Sequence, residues 1–216
     1  LEWGLDEQAM LRWFAQALDL GVRVFDMADI YGDYRVEAAV GRALVLQPAL
    51  RERMVLVSKC GIRLLSGQRP AHRVKHYDSG RAHLLASVER TLQDLHTDRL
   101  DVLLLHRPDP LMDADEVAAA LGELLQSGKV RHVGVSNFTP SQFELLSSRL
   151  PGLPVTNQIE FSPLHPDPLS DGTLDQCQRL RVTPMAWSPL AGGELVKPRR
   201  LRAWRVRRAL EAVGQQ

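Results

Sequence analysis

The chain has 216 residues, 44% of them hydrophobic and 25% charged, with a formal net charge of +1. These are the proportions of a soluble globular domain, and the length allows one sizeable core. No apolar run approaches the ~18 residues of a membrane span, and the two cysteines, Cys60 and Cys177, show no metal-ligand spacing, so a membrane helix and a cysteine metal site are excluded as readings.

The opening LEWGLDEQAM has neither a basic n-region nor an apolar h-region, so it does not read as a signal peptide. Met10, Leu11, Phe14, Ala17 and Leu18 share one helical face, which predicts a helix over 6–20 that Gly21 can end. VRVFDMA, rich in β-branched and aromatic residues, predicts a strand. YRVEAAVGRALVL returns to helical spacing, and RMVLVSKCG predicts a second strand. The stretch 61–78 is the longest irregular piece. A helix follows on the stripe Leu84, Leu85, Val88, Leu92 and Leu95. LDVLLLH then predicts a strand buried on both faces. DADEVAAALGELLQSGK predicts a helix closing near Gly128, and VRHVGVSN a strand. Thr139 is placed to cap the helix PSQFELLSS, with Pro140 in its first turn. VTNQIEF, DGTLDQCQRL and VTPMAWSPL predict strand, helix and strand, and a last helix falls within 198–213. Of the 27 basic residues, seven lie in Lys197 to Arg208, leaving 20 against 26 acidic ones, a net of −6 for the body. The basic run reads as a solvated helix face, and no nucleic-acid motif accompanies it.

Six strands are thus each followed by a helix, which implies a parallel sheet. An open doubly wound sheet and a (β/α)8 barrel both fit that order. The G-x-G-x-x-G fingerprint of the first is absent, so the barrel is expected, as one domain over 1–216. In such a barrel the active site lies at the C-terminal ends of the strands. Asp26 with Tyr31, Ser58 with Lys59, His106, Ser136 with Asn137, Asn157 with Gln158 and Glu160, and Trp187 with Ser188 all occupy those positions.

Asp, Tyr, Lys and His at one mouth make an acid–base set. An ordinary phenol titrates near 10, too high for rapid proton exchange at neutrality. A neighbouring ammonium favours the phenolate, and a carboxylate keeps that ammonium charged. A histidine can orient a substrate oxygen. The set suits reduction of a carbonyl by a hydride that a cofactor must supply.

DMADIYG, VLVSKCG, LDVLLLHRPDP, GKVRHVGVSNFTPSQ, TNQIEFSP and MAWSPLAGG stand in the order found in the aldo-keto reductases, and the chain resembles that family from Asp6 to Gly193. The bacterial oxidoreductases of the family are the nearest in pattern. The resemblance implies an NADPH-dependent enzyme that reduces an aldehyde or ketone on a (β/α)8 barrel, with NADH as the alternative cofactor. It implies a catalytic set of Asp26, Tyr31, Lys59 and His106, with Tyr31 as the proton donor. It assigns Ser136, Asn137 and Gln158 to the nicotinamide carboxamide, Trp187 to its ring, and Ser188, Leu190 and Gly192 to a loop at the pyrophosphate. No metal is implied.

Against the family pattern, the first and last barrel strands are not found, and neither is the eighth-strand site for the adenosine 2′-phosphate. About six of eight strands are visible, so an incomplete barrel and a fragment are expected, with association through an open edge. The run at 197–208 is a candidate to replace the 2′-phosphate site. Expected partners are a small carbonyl compound, and neither nucleic acid nor membrane. The two cysteines, far apart in the chain, read as reduced thiols of a cytoplasmic protein. The alternative function is a non-catalytic nucleotide-binding or regulatory protein on the same fold.

Overall fold

The computed structural model describes residues 6–215; residues 1–5 and 216, including the first half of the segment read as lacking a signal peptide, lie outside the described residues. Helix α1 (Glu7–Asp19) begins at Asp6, whose carboxylate accepts from Ala9 N, and it buries Leu11, Phe14 and Leu18. Then come β1 (Val24–Asp26), α2 (Val36–Leu46), β2 (Val55–Cys60), the short strands β3 (Ile62–Arg63) and β4 (His76–Tyr77), and α3 (Arg81–Leu95). The chain continues through β5 (Leu100–Leu105), α4 (Ala114–Gln126), β6 (Val130–Ser136), α5 (Pro140–Ser147), β7 (Asn157–Glu160), α6 (Thr173–Leu180), β8 (Met185–Trp187) and α7 (Leu201–Gly214). Thr139 caps α5 as expected, in a reciprocal box with Gln142.

Six strands form one parallel sheet in the order β1-β2-β5-β6-β7-β8. The sheet curls. In a flat sheet β1 and β7, four strand spacings apart, would be separated by ~19 Å. Yet Gln158 Nε2 on β7 donates to Asp26 Oδ2 on β1 at 3.1 Å. This is the incomplete (β/α)8 barrel, with β1 pairing only β2 and β8 pairing only β7 among the described residues.

Alternation sets the two faces of each strand. On β2, Leu56, Ser58 and Cys60 face the helices while Val57 and Lys59 face the barrel interior. The helices cover the outer face and share one core with it, from Leu11 and Phe25 through Leu84 and Leu121 to Phe143. Two glycines permit close approach. A Cβ on Gly41 of α2 would lie 1.9 Å from Asp94 O on α3, and one on Gly134 of β6 would lie 2.6 Å from Leu104 Cδ2. At the far end of the sheet, buried Asp101 pairs with Arg51 at 2.9 Å and Arg131 at 3.1 Å, and accepts from Leu56 N.

Two differences from the sequence reading are local. The stretch 61–78 is not wholly irregular: β3 and β4 pair antiparallel, Ile62 with Tyr77 and Arg63 with His76. Each run is two residues, too short to leave a periodic signal, and Asp78 fixes the register through Arg63 at 2.6 Å and Gly61 O at 3.0 Å. The strands β1 and β8 are only three residues long, because each has a ladder on one side alone.

Candidate active site

Lys59 is the centre of the site and is 1% exposed. An ammonium has three N–H donors, and all three are used. They reach Asp26 Oδ2 at 2.8 Å, the Met27 carbonyl at 2.8 Å and Tyr31 Oη at 3.2 Å. Asp26 arrives by alternation: Phe25 turns into the helix core, so Asp26 turns inward. Tyr31 stands on the tight turn between β1 and α2. Its N–H bonds Ala28 O and its carbonyl accepts from Val36 N, which folds the chain back into the helix. Gly32 in that turn has φ +55°, a conformation that glycine adopts without strain.

His106 follows β5 directly, and its N–H to Cys60 O at 2.8 Å extends the ladder. Its ring meets Tyr31 edge-on, with centroids 5.8 Å apart. Burial, then the charges of Lys59 and Arg107, hold His106 down at about 3, so it is neutral at physiological pH. Its Nδ1 is buried with no partner among the described residues.

The residues assigned by resemblance to the nicotinamide gather on the next strands. Ser136 Oγ donates to Gln158 O at 3.1 Å and accepts from Asn137 Nδ2 at 2.8 Å. Asn137, with φ 57°, uses its other amide atom to accept from Trp187 Nε1 at 3.0 Å. Gln158 closes the circuit to Asp26. Asp26, Lys59, Tyr31, Gln158, Ser136, Asn137 and Trp187 are therefore one connected network, with His106 against it. Ser188, Leu190 and Gly192 continue from Trp187 in a turn with φ 49° at Ser188 and 61° at Gly192. No hydrogen bond joins that turn to the network. Of the basic run, Arg199 pairs with Glu194 and Arg207 with Glu211, and none of it lines the cleft beside Tyr31.

Three further residues belong to this region. Arg107 Nη1 donates to His106 O at 2.9 Å and Ser136 Oγ at 3.3 Å, and its guanidinium lies 5.5 Å over the Trp187 ring. Its signal in the sequence is only a charge just past an apolar strand. On the helix side, Glu37 accepts from Ser58 Oγ and, at 2.9 Å, from Thr91 Oγ1. Burial pushes Glu37 up to about 7; burial and the nearby Glu37 do the same to Asp29, which accepts from Ser87 Oγ at 3.0 Å. Glu37 is legible in hindsight, since 37, 40, 41 and 44 fall on one helical face. Among the described residues, no group of three or more His, Cys, Asp or Glu is arranged to hold a metal, and no helix is long and apolar enough to cross a membrane.

The model of the Aldo/keto reductase family matches residues 1–207. Oxidoreductase YdhF of Escherichia coli (strain K12) is 57% identical over 195 residues, covering 90% of this chain and 65% of its own length. The 6-dehydroglucose reductase of Agrobacterium fabrum is 51% identical over 175 residues, covering 81% of this chain and 59% of its own. Among solved structures, the holo form of aldo-keto reductase AKR11C1 from Bacillus halodurans aligns with a TM-score of 0.75 at 28% identity, covering 91% of this chain and 62% of that one. The chain thus spans about 60–65% of the length of these three relatives.

Proposed function

Because the chain belongs to the aldo/keto reductase family, we propose that residues 1–216 form one barrel domain of an oxidoreductase that reduces a small aldehyde or ketone to an alcohol, with Tyr31 as proton donor and NADPH, or NADH in its place, as reductant. The observation that carries this reading is the buried Lys59 ammonium, shared between the Asp26 carboxylate and the Tyr31 phenol oxygen.

The residues present fit a nicotinamide dinucleotide by the chemistry of their donors and acceptors. A carboxamide presents one carbonyl and one NH2, and Asn137 and Gln158 carry the complements of both. Trp187 supplies an aromatic face. A Cβ on Gly192 or Gly193 would meet open space, so that backbone is free for a pyrophosphate to approach. When bound, the reduced nicotinamide supplies the hydride. Tyr31 gives its proton to the carbonyl oxygen as negative charge builds there. Lys59 meets the charge left on Tyr31 Oη, and Asp26 holds Lys59 in place. Neutral His106 offers one N–H to orient the carbonyl without competing as an acid.

Tryptophan fluorescence during NADPH titration tests the cofactor half of this reading; saturable quenching is expected. Tyr31→Phe should keep NADPH affinity and lose about 10²–10⁴-fold in kcat. Undiminished turnover by that variant would remove the assignment. The substrate panel starts from 6-dehydroglucose, the compound in the name of the Agrobacterium relative.

A further inference from the structure

Among the described residues Arg107, a half-buried cation, has no carboxylate partner, and a guanidinium taken partly out of water is costly unless paired. Three other buried or half-buried cations of the barrel have one: Lys59 has Asp26, Arg51 has Asp101 and Arg63 has Asp78. Among the described residues, only Nη1 of Arg107 makes hydrogen bonds, to His106 O and Ser136 Oγ. Those two bonds and the Trp187 ring fix the plane of the guanidinium and leave Nε and Nη2 without acceptors. The neighbouring carboxylates are otherwise engaged. Asp26 is held by Lys59 and Gln158, and Asp109 accepts from Ser79 and Leu111. Glu160, on the same face of β7 as Gln158, forms no ion pair with Arg107.

We propose that Arg107 is the anchor of a substrate subsite for a carboxylate, so that the site favours carbonyl compounds carrying an anionic group a few bonds from the reacting carbon. A guanidinium edge with two free N–H groups matches a carboxylate in a fork, and a pinned fork loses little entropy on binding. The position also borders the reacting centre. Arg107 follows His106 in the chain and donates to the His106 carbonyl, so its free edge lies beside the histidine that would orient the carbonyl. Among the described residues, no hydrogen bond or ion pair joins it to the turn 188–193, where a pyrophosphate would lie. The proposal rests on the reductase reading for its kinetic consequence, but not for the binding event itself.

The test compares succinic semialdehyde with butanal, two aldehydes that differ in the carboxylate. Wild-type protein should prefer the acid by tenfold or more in kcat/KM. Arg107→Leu should bring that ratio near one, and Arg107→Lys should restore part of it. The ratio cancels any loss common to both substrates, such as a displaced His106. An unchanged ratio in Arg107→Leu overturns the proposal. A binding arm needs no turnover: succinate, titrated against tryptophan fluorescence, should bind the wild type and bind Arg107→Leu at least tenfold more weakly. Equal binding, or none by the wild type, overturns it. If the guanidinium instead served a cofactor phosphate, Arg107→Leu would weaken NADPH and leave succinate unaffected, which also overturns it. Turnover of neither aldehyde, with succinate bound through Arg107, would count against the reductase reading and leave the subsite standing.

Discussion

Lys59 is tolerable in the barrel interior because every proton it carries has an acceptor; a buried ammonium otherwise sheds its charge. His106 and the two acids Glu37 and Asp29 respond to pH in opposite directions. Burial first, and then neighbouring charge, holds His106 at about 3, so the pH–rate profile of the proposed reduction should show no limb from His106 above about pH 5, where an ordinary histidine titrates. A limb near 6.5 that disappears in His106→Ala would contradict this. Because the folded value lies below the unfolded 6.5, the stability that His106 contributes is present above 6.5 and is lost as pH falls toward 3. Glu37 has the other sign. Its folded value of about 7 exceeds the ordinary 4.5, so the folded protein keeps a proton that the unfolded chain releases. That contribution is full below 4.5 and is lost as pH rises through 7, and Asp29 behaves alike from 3.8. Glu37→Gln removes one such group. Urea midpoints measured at about pH 5 and about pH 8 should therefore fall less between the two in the variant than in the wild type.

At the scale of elements, the strands deliver site residues inward and the helices hold the strands from outside. Helices α2 and α3 meet at Gly41, where a methyl group would strike the backbone carbonyl of Asp94. Gly41→Ala gains about 1 kcal/mol in helix propensity. The gain is outweighed, because backbone cannot rotate aside as a side chain would. We expect a net loss of about 1–3 kcal/mol by chemical denaturation, typical of overpacking. The consequence reaches the site, since Glu37 of α2 and Thr91 of α3 share a hydrogen bond at that seam and Glu37 also accepts from Ser58, next to Lys59.

For the molecule as a whole, the two outer strands decide behaviour in solution. The backbones of β1 and β8 each lack a partner on one side among the described residues. A cleft of about 1110 Å³ lies beside β1, walled by Met10, Ala17, Val22 and Phe25, and reaches Asp26 and Tyr31. A free parallel edge next to apolar surface recruits further strands. This 216-residue chain should therefore associate as concentration rises, and Val22→Lys should shift sedimentation toward the monomer. A monomeric wild type at all concentrations would refute that expectation.

The order of strands and helices was legible without coordinates, because hydrophobic periodicity is a local property: the stripe Leu84, Val88, Leu92, Leu95 and the cap at Thr139 needed only their neighbours in the chain. Asp26, Tyr31, Lys59 and His106 were legible too, as polar residues ending apolar strands. The hairpin β3–β4 was not, since two-residue strands carry no period. Neither was the separation of Ser58 from Lys59, adjacent in sequence but facing α2 and the barrel interior respectively. Curling of the sheet decided the rest. It brought Gln158 to Asp26 across 132 residues and set Arg107 over Trp187, contacts that depend on distance in space and leave no trace in local pattern.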